Sequence, residues 1–338
     1  MRKLSLLLMG LVAVLGCRPA TTTNTATSTT TSSAATSNPA PDITPATESK
    51  GTIGFSALTL TNPFFKIIAE NLTKEAKKHG YDVIVNDADR DVNKQAKHID
   101  NYIAQKVTAI VINPADRVTI GPAVKKANDA GIPVFTNDLQ CVAEGVKISG
   151  HIGTDNYQGG KLAGEAMIEA LGENGGKVLI LHFKQANSCV LRVDGFMEVI
   201  DAYNEGRESG KIEIVATLDG GGLRDEGYAA TADALQAHEL DAVFAINDPS
   251  ALGAWTALNE AQKADKVVII GFDGQLEGKQ AIKEGKIYAD PIQFPAQMGQ
   301  VTAQNIIKYL DGEEFAEVEL IPTELYRKAD AENDPELQ

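Results

Sequence analysis

Short apolar segments rich in β-branched residues alternate with longer amphipathic segments from about residue 51 onward. The short segments predict strands, since β-branched side chains suit a pleated sheet. The predicted strands are 52–58, 82–86, 107–112, 133–136, 177–181, 212–218, 242–245, 267–272 and 289–293. The longer segments repeat apolar residues every three or four positions, which predicts helices. The predicted helices are 64–79, 91–105, 120–130, 156–171, 190–203, 225–237, 248–261, 275–284 and 295–310.

This alternation is typical of βαβ units, in which parallel strands are joined through helices. The first four strands form one series and the later five a second. The sequence therefore predicts an α/β fold with two doubly wound parallel sheets. Because ligands of such sheets bind beyond the carboxyl ends of the strands, the expected site is a crevice where those ends face each other.

The N-terminus has the pattern of an export signal. Arg2 and Lys3 precede an apolar run over 4–15, which is shorter than the ~20 residues of a spanning helix. The run ends in Val-Leu-Gly-Cys at 14–17, which resembles a bacterial lipobox and predicts acylation of Cys17. An ordinary secretory signal with an incidental cysteine is the alternative.

Residues 18–50 are mostly Thr, Ser, Ala, Asn and Pro. Such a composition buries too little apolar surface to offset the entropy of ordering, so a disordered tether is expected. Together, residues 1–17 and 18–50 predict a folded part that is exported and lipid-anchored in the cell envelope, on the periplasmic or extracytoplasmic face.

Composition narrows the function further. The 338 residues have a formal net charge of −15, which disfavours a nucleic-acid partner or an anionic lipid surface. Three cysteines are too few for a disulfide scaffold. The five histidines lack the spacing of metal ligands, and no common catalytic motif is present. No cofactor, metal site or catalytic residue is predicted.

Polar and aromatic residues follow several predicted strands. Asn62, Phe64 and Phe65 come after the first strand, where two rings could clamp an apolar ligand face and the amide could hold a hydroxyl. Equally, Asn62 could cap the next helix, with both rings in the core.

Four further strand ends carry carboxyl or amide groups: Asp138, Asn247, Asp273 and Gln293. A carboxylate accepts two hydroxyl hydrogen bonds and so suits a polyol. For each residue taken singly, helix capping, turn formation or solvent exposure is the alternative.

Six segments add a family resemblance. They are TNPFF at 61–65, IVINP at 110–114, IPV at 132–134, TDN at 154–156 with GGK at 159–161, ND at 247–248 with ALGA at 251–254, and GFDG at 271–274. Together they resemble the ribose-binding-protein branch of the periplasmic sugar-binding proteins, which serve ABC importers.

The resemblance implies the type I periplasmic binding fold, with two lobes joined by a hinge of three crossovers. It places residues 51–154 plus 294–324 in the first lobe and 155–293 plus 325–338 in the second. It also implies that an ABC permease is the partner. The sugar pocket that it implies is lined by Asn62, Phe64, Phe65, Asp138, Asn247, Asp273 and Gln293. A monomer is expected.

Three positions depart from the ribose binders. Leu139 and Val190 stand at two pocket positions where that subgroup has arginines, and Arg192, two residues after Val190, could take the second position if its loop shifts. Gly222 or Leu223 replaces a further aromatic residue. These departures favour a different sugar, or a linear or less polar polyol, over ribose.

Cys141 and Cys189 lie beside the departing positions, one on each implied lobe. In an oxidising compartment they could form a disulfide across the cleft, or remain two small free thiols.

The leading function is that of a substrate-binding lipoprotein for import of a monosaccharide or polyol. A receptor that signals to a chemoreceptor or sensor kinase would use the same lobes. A more distant alternative is an envelope carbohydrate-active enzyme, in which Asp138 and Asp273 would be the paired carboxylates.

Overall fold

The computed structural model describes residues 49–338. The predictions of a signal peptide, of acylation at Cys17 and of nearly all of the tether fall on residues 1–48 and lie outside the described residues. Within 49–338, no helix combines the length and the apolar character needed to cross a membrane.

Twelve strands make up the sheets of the described part. They are β1 (Gly51–Ala57), β2 (Tyr81–Asp87), β3 (Ala109–Ile112), β4 (Val134–Asn137), β5 (Gly150–Thr154), β6 (Gly176–His182), β7 (Ile212–Asp219), β8 (Ala242–Ala245), β9 (Val268–Ile270), β10 (Ala289–Ile292), β11 (Val318–Ile321) and β12 (Glu324–Arg327).

Ten α-helices connect or cover these strands. They are α1 (Pro63–Lys78), α2 (Val92–Ala104), α3 (Gly121–Asp129), α4 (Asn156–Leu171), α5 (Asn187–Asn204), α6 (Arg224–Ala237), α7 (Asp248–Glu260), α8 (Leu276–Lys283), α9 (Pro295–Asp311) and α10 (Lys328–Asn333). Short 3₁₀ turns follow α4 and α10.

The strands form two six-stranded sheets. The first has the order β11-β5-β4-β3-β1-β2, and every pair in it is parallel. The second has the order β12-β10-β9-β8-β6-β7 and is parallel except for the antiparallel edge strand β12. The predicted α/β fold of two doubly wound sheets is confirmed.

The chain passes between the two sheets three times, after β5, after β10 and after β11. Two of these passages touch, because the Thr154 hydroxyl donates to Gln293 Oε1 at 2.7 Å. Glu324, which the sequence places in the first lobe, instead pairs with Ile292 as the first residue of β12 in the second sheet. The third passage is therefore only two residues long, 322–323.

Helices α4 and α5 pack closely because glycines face each other's backbone. A Cβ atom at Gly160 would lie 2.1 Å from the carbonyl oxygen of Arg192, and one at Gly195 would lie 2.2 Å from that of Tyr157. Below α5, the rings of Phe196 and Phe244 stack with centroids 4.4 Å apart. This contact fixes the height of α5 over the second sheet, and thereby the positions of its first two turns.

The sequence pattern missed three strands. β5 is five residues long and contains two glycines, while β11 and β12 have four residues each with exposed positions between them. Such strands lack the continuous apolar run of a buried strand. α5 also begins three residues earlier than predicted, at Asn187.

Two buried carboxyl groups lie side by side in the second lobe. Asp248 begins α7, and Asp290 belongs to β10. Apart from each other, Asp248 Oδ1 and both oxygens of Asp290 have no partner among residues 49–338. Burial, followed by the charge of Asp290, raises the pKa of Asp248 well above its usual value, and burial raises the pKa of Asp290 to about 6. If Asp248 carries a proton, it can donate that proton to Asp290, which gives one oxygen of each group a partner.

Asp290→Asn is expected to weaken the pH dependence of stability. The folded protein keeps a proton up to about pH 6, whereas an unfolded aspartate releases it near pH 4. The stability gained from that proton is therefore lost as the pH rises between these values. Asparagine keeps its N–H donors throughout, so thermal melts at pH 4.5 and 7.5 should differ less in Tm than for the wild type.

Asp82→Asn, at an exposed strand position, is the matched control for removal of one carboxyl group. An Asp290→Asn variant whose Tm changes with pH as much as the wild type would contradict the raised pKa of Asp290.

Candidate functional site

A cavity of about 60 Å³ lies where the carboxyl ends of the two sheets meet. Its walls come from the loops and first helical turns that follow β1, β2 and β4 of the first sheet and β6, β7, β8, β9 and β10 of the second. Nine of the ten residues predicted to bind a ligand line it: Asn62, Phe64, Phe65, Asp138, Leu139, Arg192, Asn247, Asp273 and Gln293.

Aromatic rings form two walls of the cavity. Phe64 and Phe65 are buried at the start of α1, with their rings edge to face at a centroid distance of 5.4 Å. Phe183, directly after β6, faces the cavity from the second lobe. Rings on both sides can pack against the C–H faces of a small cyclic ligand.

Asn62 is the N-cap of α1, and it also borders the cavity. Its side-chain oxygen accepts a hydrogen bond from the Phe64 N–H at 3.0 Å and so caps α1. The residue also lines the cavity. Since the cap uses the oxygen, the amide N–H groups of Asn62 remain available to a ligand.

Asp138 is the unsatisfied group of the site. It is 4% exposed, and its Oδ1 has no partner in the described part of the chain. Burial raises the pKa of Asp138 to about 7, Arg192 opposes this shift, and Asp273 adds to it. Its backbone has a φ of 58°, a left-handed conformation that residues other than glycine adopt mainly at constrained sites.

Asp273 is the opposite case, because its partners come from within the protein. Arg192 Nη1 donates to Asp273 Oδ1 at 2.9 Å, and Gln293 Nε2 donates to the same oxygen at 2.5 Å. Gln275 Nε2 reaches Oδ2 at 3.3 Å. Burial raises the pKa of Asp273, while Arg192 and these amides lower it.

Arg192 is fully embedded in this network. It donates to Asn156 Oδ1 at 2.8 Å and to the Ile246 carbonyl at 2.6 Å, and its guanidinium lies 3.8 Å from the Phe272 ring centroid. Arg192 thus reaches the cavity without any shift of its loop. Its first role is to hold Asp273.

Asn247, rather than Asp248, is the N-cap of α7. Its oxygen accepts from the Ser250 N–H at 3.1 Å, and its amide donates to the Gly222 carbonyl at 3.1 Å. Asn247 is therefore rigidly placed at the cavity wall, beside the glycine that the sequence singled out.

The lobes touch each other around the cavity. Arg117 of the first lobe donates through Nη1 to Asn187 Oδ1 at 3.0 Å, and its N–H donates to the Gln185 carbonyl at 3.0 Å. Asn187 in turn donates to Gln140 Oε1 at 2.6 Å. These contacts hold the two lobes together next to residues that line the cavity, such as Leu139 and Ser188.

Val190 does not line the cavity, in contrast to the prediction. Ser188, Cys189 and Arg192 share the inward face of α5. Val190 is rotated away from that face, since successive helical residues turn by about 100°.

The disulfide left open by the sequence is absent, because Cys141 and Cys189 are both free. Cys141 packs against the core cluster around Ile110 on the outer side of the first sheet, whereas Cys189 belongs to the cluster that borders the cavity. Burial raises the pKa of the Cys189 thiol to about 11.

Among the cavity residues that the sequence did not single out, Arg90 and Phe183 have the side chains best suited to contact a ligand. Each follows a strand, as the predicted residues do, so its position at a strand end was the signal that could have identified it. Phe183 was missed because the predicted strand ended at 181 whereas β6 extends to His182. Arg90 was missed because Asp89 and Arg90 form a left-handed turn that contains no glycine to indicate it in the sequence.

A larger groove of about 590 Å³ lies at the opposite ends of the second-sheet strands. Lysine and arginine side chains such as Lys266 and Lys328 line it, together with aliphatic residues. It holds none of the buried carboxyl groups or facing rings of the smaller cavity. In the described part of the chain, no group of three His, Cys, Asp or Glu residues is placed to hold a metal ion.

Known proteins share this architecture. The family model of the periplasmic binding protein domain matches residues 53–314. The ribose import binding protein of Salmonella typhimurium is 37% identical over 267 residues, which are 78% of this chain and 86% of that protein. The D-apiose import binding protein of Paraburkholderia graminis is 34% identical over 273 residues, 80% of this chain and 85% of the relative.

A solved structure agrees with these relatives. The periplasmic solute-binding protein of an ABC transporter from Actinobacillus succinogenes, with bound D-allose, superposes with a TM-score of 0.75 at 28% identity. The match covers 84% of this chain and 100% of the other. The chain belongs to the periplasmic binding protein family.

Proposed function

We propose that this protein is the solute receptor of an ABC importer and that it binds a single monosaccharide or small polyol between its lobes. The observation that supports this most directly is Asp138, a buried carboxyl group that faces the cavity without a partner among residues 49–338. A buried acceptor of this kind is costly unless a ligand satisfies it. Ligand hydroxyl groups are suitable donors.

The surroundings of Asp138 favour a neutral ring over a charged ligand. Asp273 already neutralises Arg192, and the nearby carboxylates of Glu226 and Asp219 offset the charge of Arg90, so the cavity offers little net positive charge to a carboxylate or phosphate ligand. Leu139 and the rings of Phe64 and Phe183 offer apolar contacts. Alternating hydroxyl and C–H surface is what a sugar or cyclitol presents to such walls.

The size of the cavity limits the ligand. A volume of about 60 Å³ holds only a few water molecules. A single sugar ring therefore enters only when the lobes stand further apart than here.

The relatives support a role in import. Two of them are named as import binding proteins for ribose and for D-apiose, and the solved neighbour belongs to an ABC transporter and holds D-allose. With Leu139 in the cavity wall, we infer a ligand with fewer polar groups on that side than ribose has. An ABC permease is the partner that follows from this role.

The export pattern of residues 1–17 supports an extracytoplasmic site of action, since periplasmic binding proteins receive their ligand outside the cytoplasm. We infer that Cys17 is acylated and that residues 18–50 connect the anchor to the folded part.

A thermal-shift screen with sugars is the direct test of the receptor function. The purified protein is melted with D-ribose, D-apiose, D-allose, other pentoses and hexoses, myo-inositol and linear polyols. A ligand at a hundred times its Kd stabilises the folded state by about 2.7 kcal/mol, which raises Tm by several degrees. Unfolding and refolding the protein removes any retained ligand. If no sugar raises Tm after that step, the proposal is wrong.

The affinity of the sugar found in the screen is expected to fall below pH 7. Asp138 has a pKa of about 7 in the unliganded protein, and protonation removes its capacity to accept two hydroxyl hydrogen bonds. If the sugar holds Asp138 in its charged form, the affinity falls roughly tenfold between pH 7.5 and 5.5. Isothermal titration calorimetry at both pH values measures the change.

Asp138→Asn should bind the sugar about 10- to 100-fold more weakly and with little dependence on pH. The matched control, Asp201→Asn on an exposed turn of α5, should behave like the wild type. If Asp138→Asn kept the full affinity, Asp138 would not be the hydroxyl acceptor.

Cys17→Ala is expected to release the protein from the membrane fraction of its host cell, because the thioether that holds the lipid cannot form. Cell fractionation and incorporation of labelled palmitate provide the measurements. Cys189→Ala, which removes a thiol inside the folded part, is the control and should stay at the membrane. Unchanged membrane association of Cys17→Ala would refute the anchor.

A further inference from the structure

The backbone of the loop after β2 places the Arg90 side chain. Asp89 and Arg90 have φ values of 53° and 60°, two consecutive left-handed residues without a glycine. The Arg90 N–H donates to the Leu58 carbonyl at 2.8 Å, and the Asp89 N–H donates to Asp87 Oδ1 at 2.8 Å. Such an unfavourable turn persists only where its surroundings enforce it, and it is common at ligand-binding sites.

From this turn, Arg90 reaches across the cleft to the second lobe. Its Nη2 donates to the Gly221 carbonyl, and its guanidinium lies 4.8 Å from the ring centroid of Phe183. The carboxylates of Glu226 and Asp219 are near enough to act on its charge. Arg90 is therefore attached to the second lobe by stacking, by a hydrogen bond and by charge.

The glycine at position 222 lies beside Phe183 and Asn247. A Cβ atom there would lie 3.2 Å from Asn247 Nδ2 and 3.9 Å from Phe183 Cδ1. Gly222 thus adds no side chain to the cavity, and Phe183 and Arg90 line it from other loops.

Arg90 keeps donors for a ligand. Only its Nη2 has a side-chain hydrogen bond to another described residue, so Nε and Nη1 are unused. The residue lines the cavity, and guanidinium N–H groups bind hydroxyl and ring oxygens well. No other cavity-lining cation among residues 49–338 is free of an internal ion pair, since Arg192 is paired with Asp273.

We propose that Arg90 is a specificity-determining residue that donates hydrogen bonds to an oxygen of the sugar while it fastens the second lobe over it. This inference rests on the proposed function. It adds that the Arg90 side chain donates to one particular oxygen of the ligand and also holds the two lobes together. Lobe closure is then tightest for sugars that place an oxygen beside the Phe183 ring.

Arg117 offers a matched control. It also bridges the lobes, through Asn187, and it is half-buried like Arg90, but it does not line the cavity. Loss of Arg117 should weaken closure for every ligand alike. Loss of Arg90 should weaken closure and also change which ligands are preferred.

The experiment measures Kd by calorimetry for the sugar that binds the wild-type protein best and for its monodeoxy analogues. The proteins are the wild type, Arg90→Ala, Arg90→Lys and Arg117→Ala. Thermal melts without sugar select the variants that are folded, and Arg90→Lys keeps the charge if Arg90→Ala does not fold.

For Arg90→Ala, the affinity for the parent sugar should drop 10- to 100-fold. One deoxy analogue, which lacks the hydroxyl that Arg90 reads, should lose much less. Arg90→Lys should fall between the wild type and Arg90→Ala, because lysine lacks the planar fork and the stacking. Arg117→Ala should lower all affinities by a common factor.

Equal losses for all sugars in both Arg90 variants would overturn the inference, since Arg90 would then act only as a fastening between lobes while sugar binding stands. Absence of binding of any sugar by the wild-type protein would instead overturn the proposed function, and this inference with it.

Discussion

The buried ion pair between Arg192 and Asp273 is the interaction on which the site depends. It joins the first turns of α5 to the end of β9, and Arg192 extends the link to Asn156 of α4 and to the Ile246 carbonyl after β8. Removal of one partner from such a pair typically costs about 3–5 kcal/mol, because the other charge stays buried and alone. The second-lobe wall is therefore rigid before any ligand arrives.

This pair also explains why Asp138 and Asp273, two carboxyl groups at equivalent strand ends, differ in their partners. Asp273 is neutralised inside the protein, and Asp138 is not, although Arg192 is near enough to lower its pKa. Two carboxylates share one guanidinium, so one of them remains a costly buried acceptor. Hydroxyl groups of a ligand can donate to this acceptor. The affinity for the ligand therefore depends on the electrostatics of the unliganded site.

Motion of the lobes is coupled to the same network through Gln293. Its oxygen accepts from Thr154 on one passage between the lobes, and its amide donates to Asp273. At the far side of the cavity, Arg90 and Arg117 bind the second lobe directly. Opening must therefore break contacts at the rim and can disturb the hold on Asp273, so the position of the lobes and the geometry of the pocket change together.

The sequence by itself determined the α/β class and the strand-end positions of Asp138, Asn247, Asp273 and Gln293, because apolar periodicity marks parallel strands and their ends share one edge. It could not find the short edge strands β11 and β12, whose pairing is set by distant residues. Only the tertiary structure decided that Val190 turns away, that Cys141 and Cys189 stay apart, and that Arg90 meets Phe183 across the cleft. These outcomes depend on helix rotation and on contacts between residues far apart in the chain, and neither is encoded in local spacing.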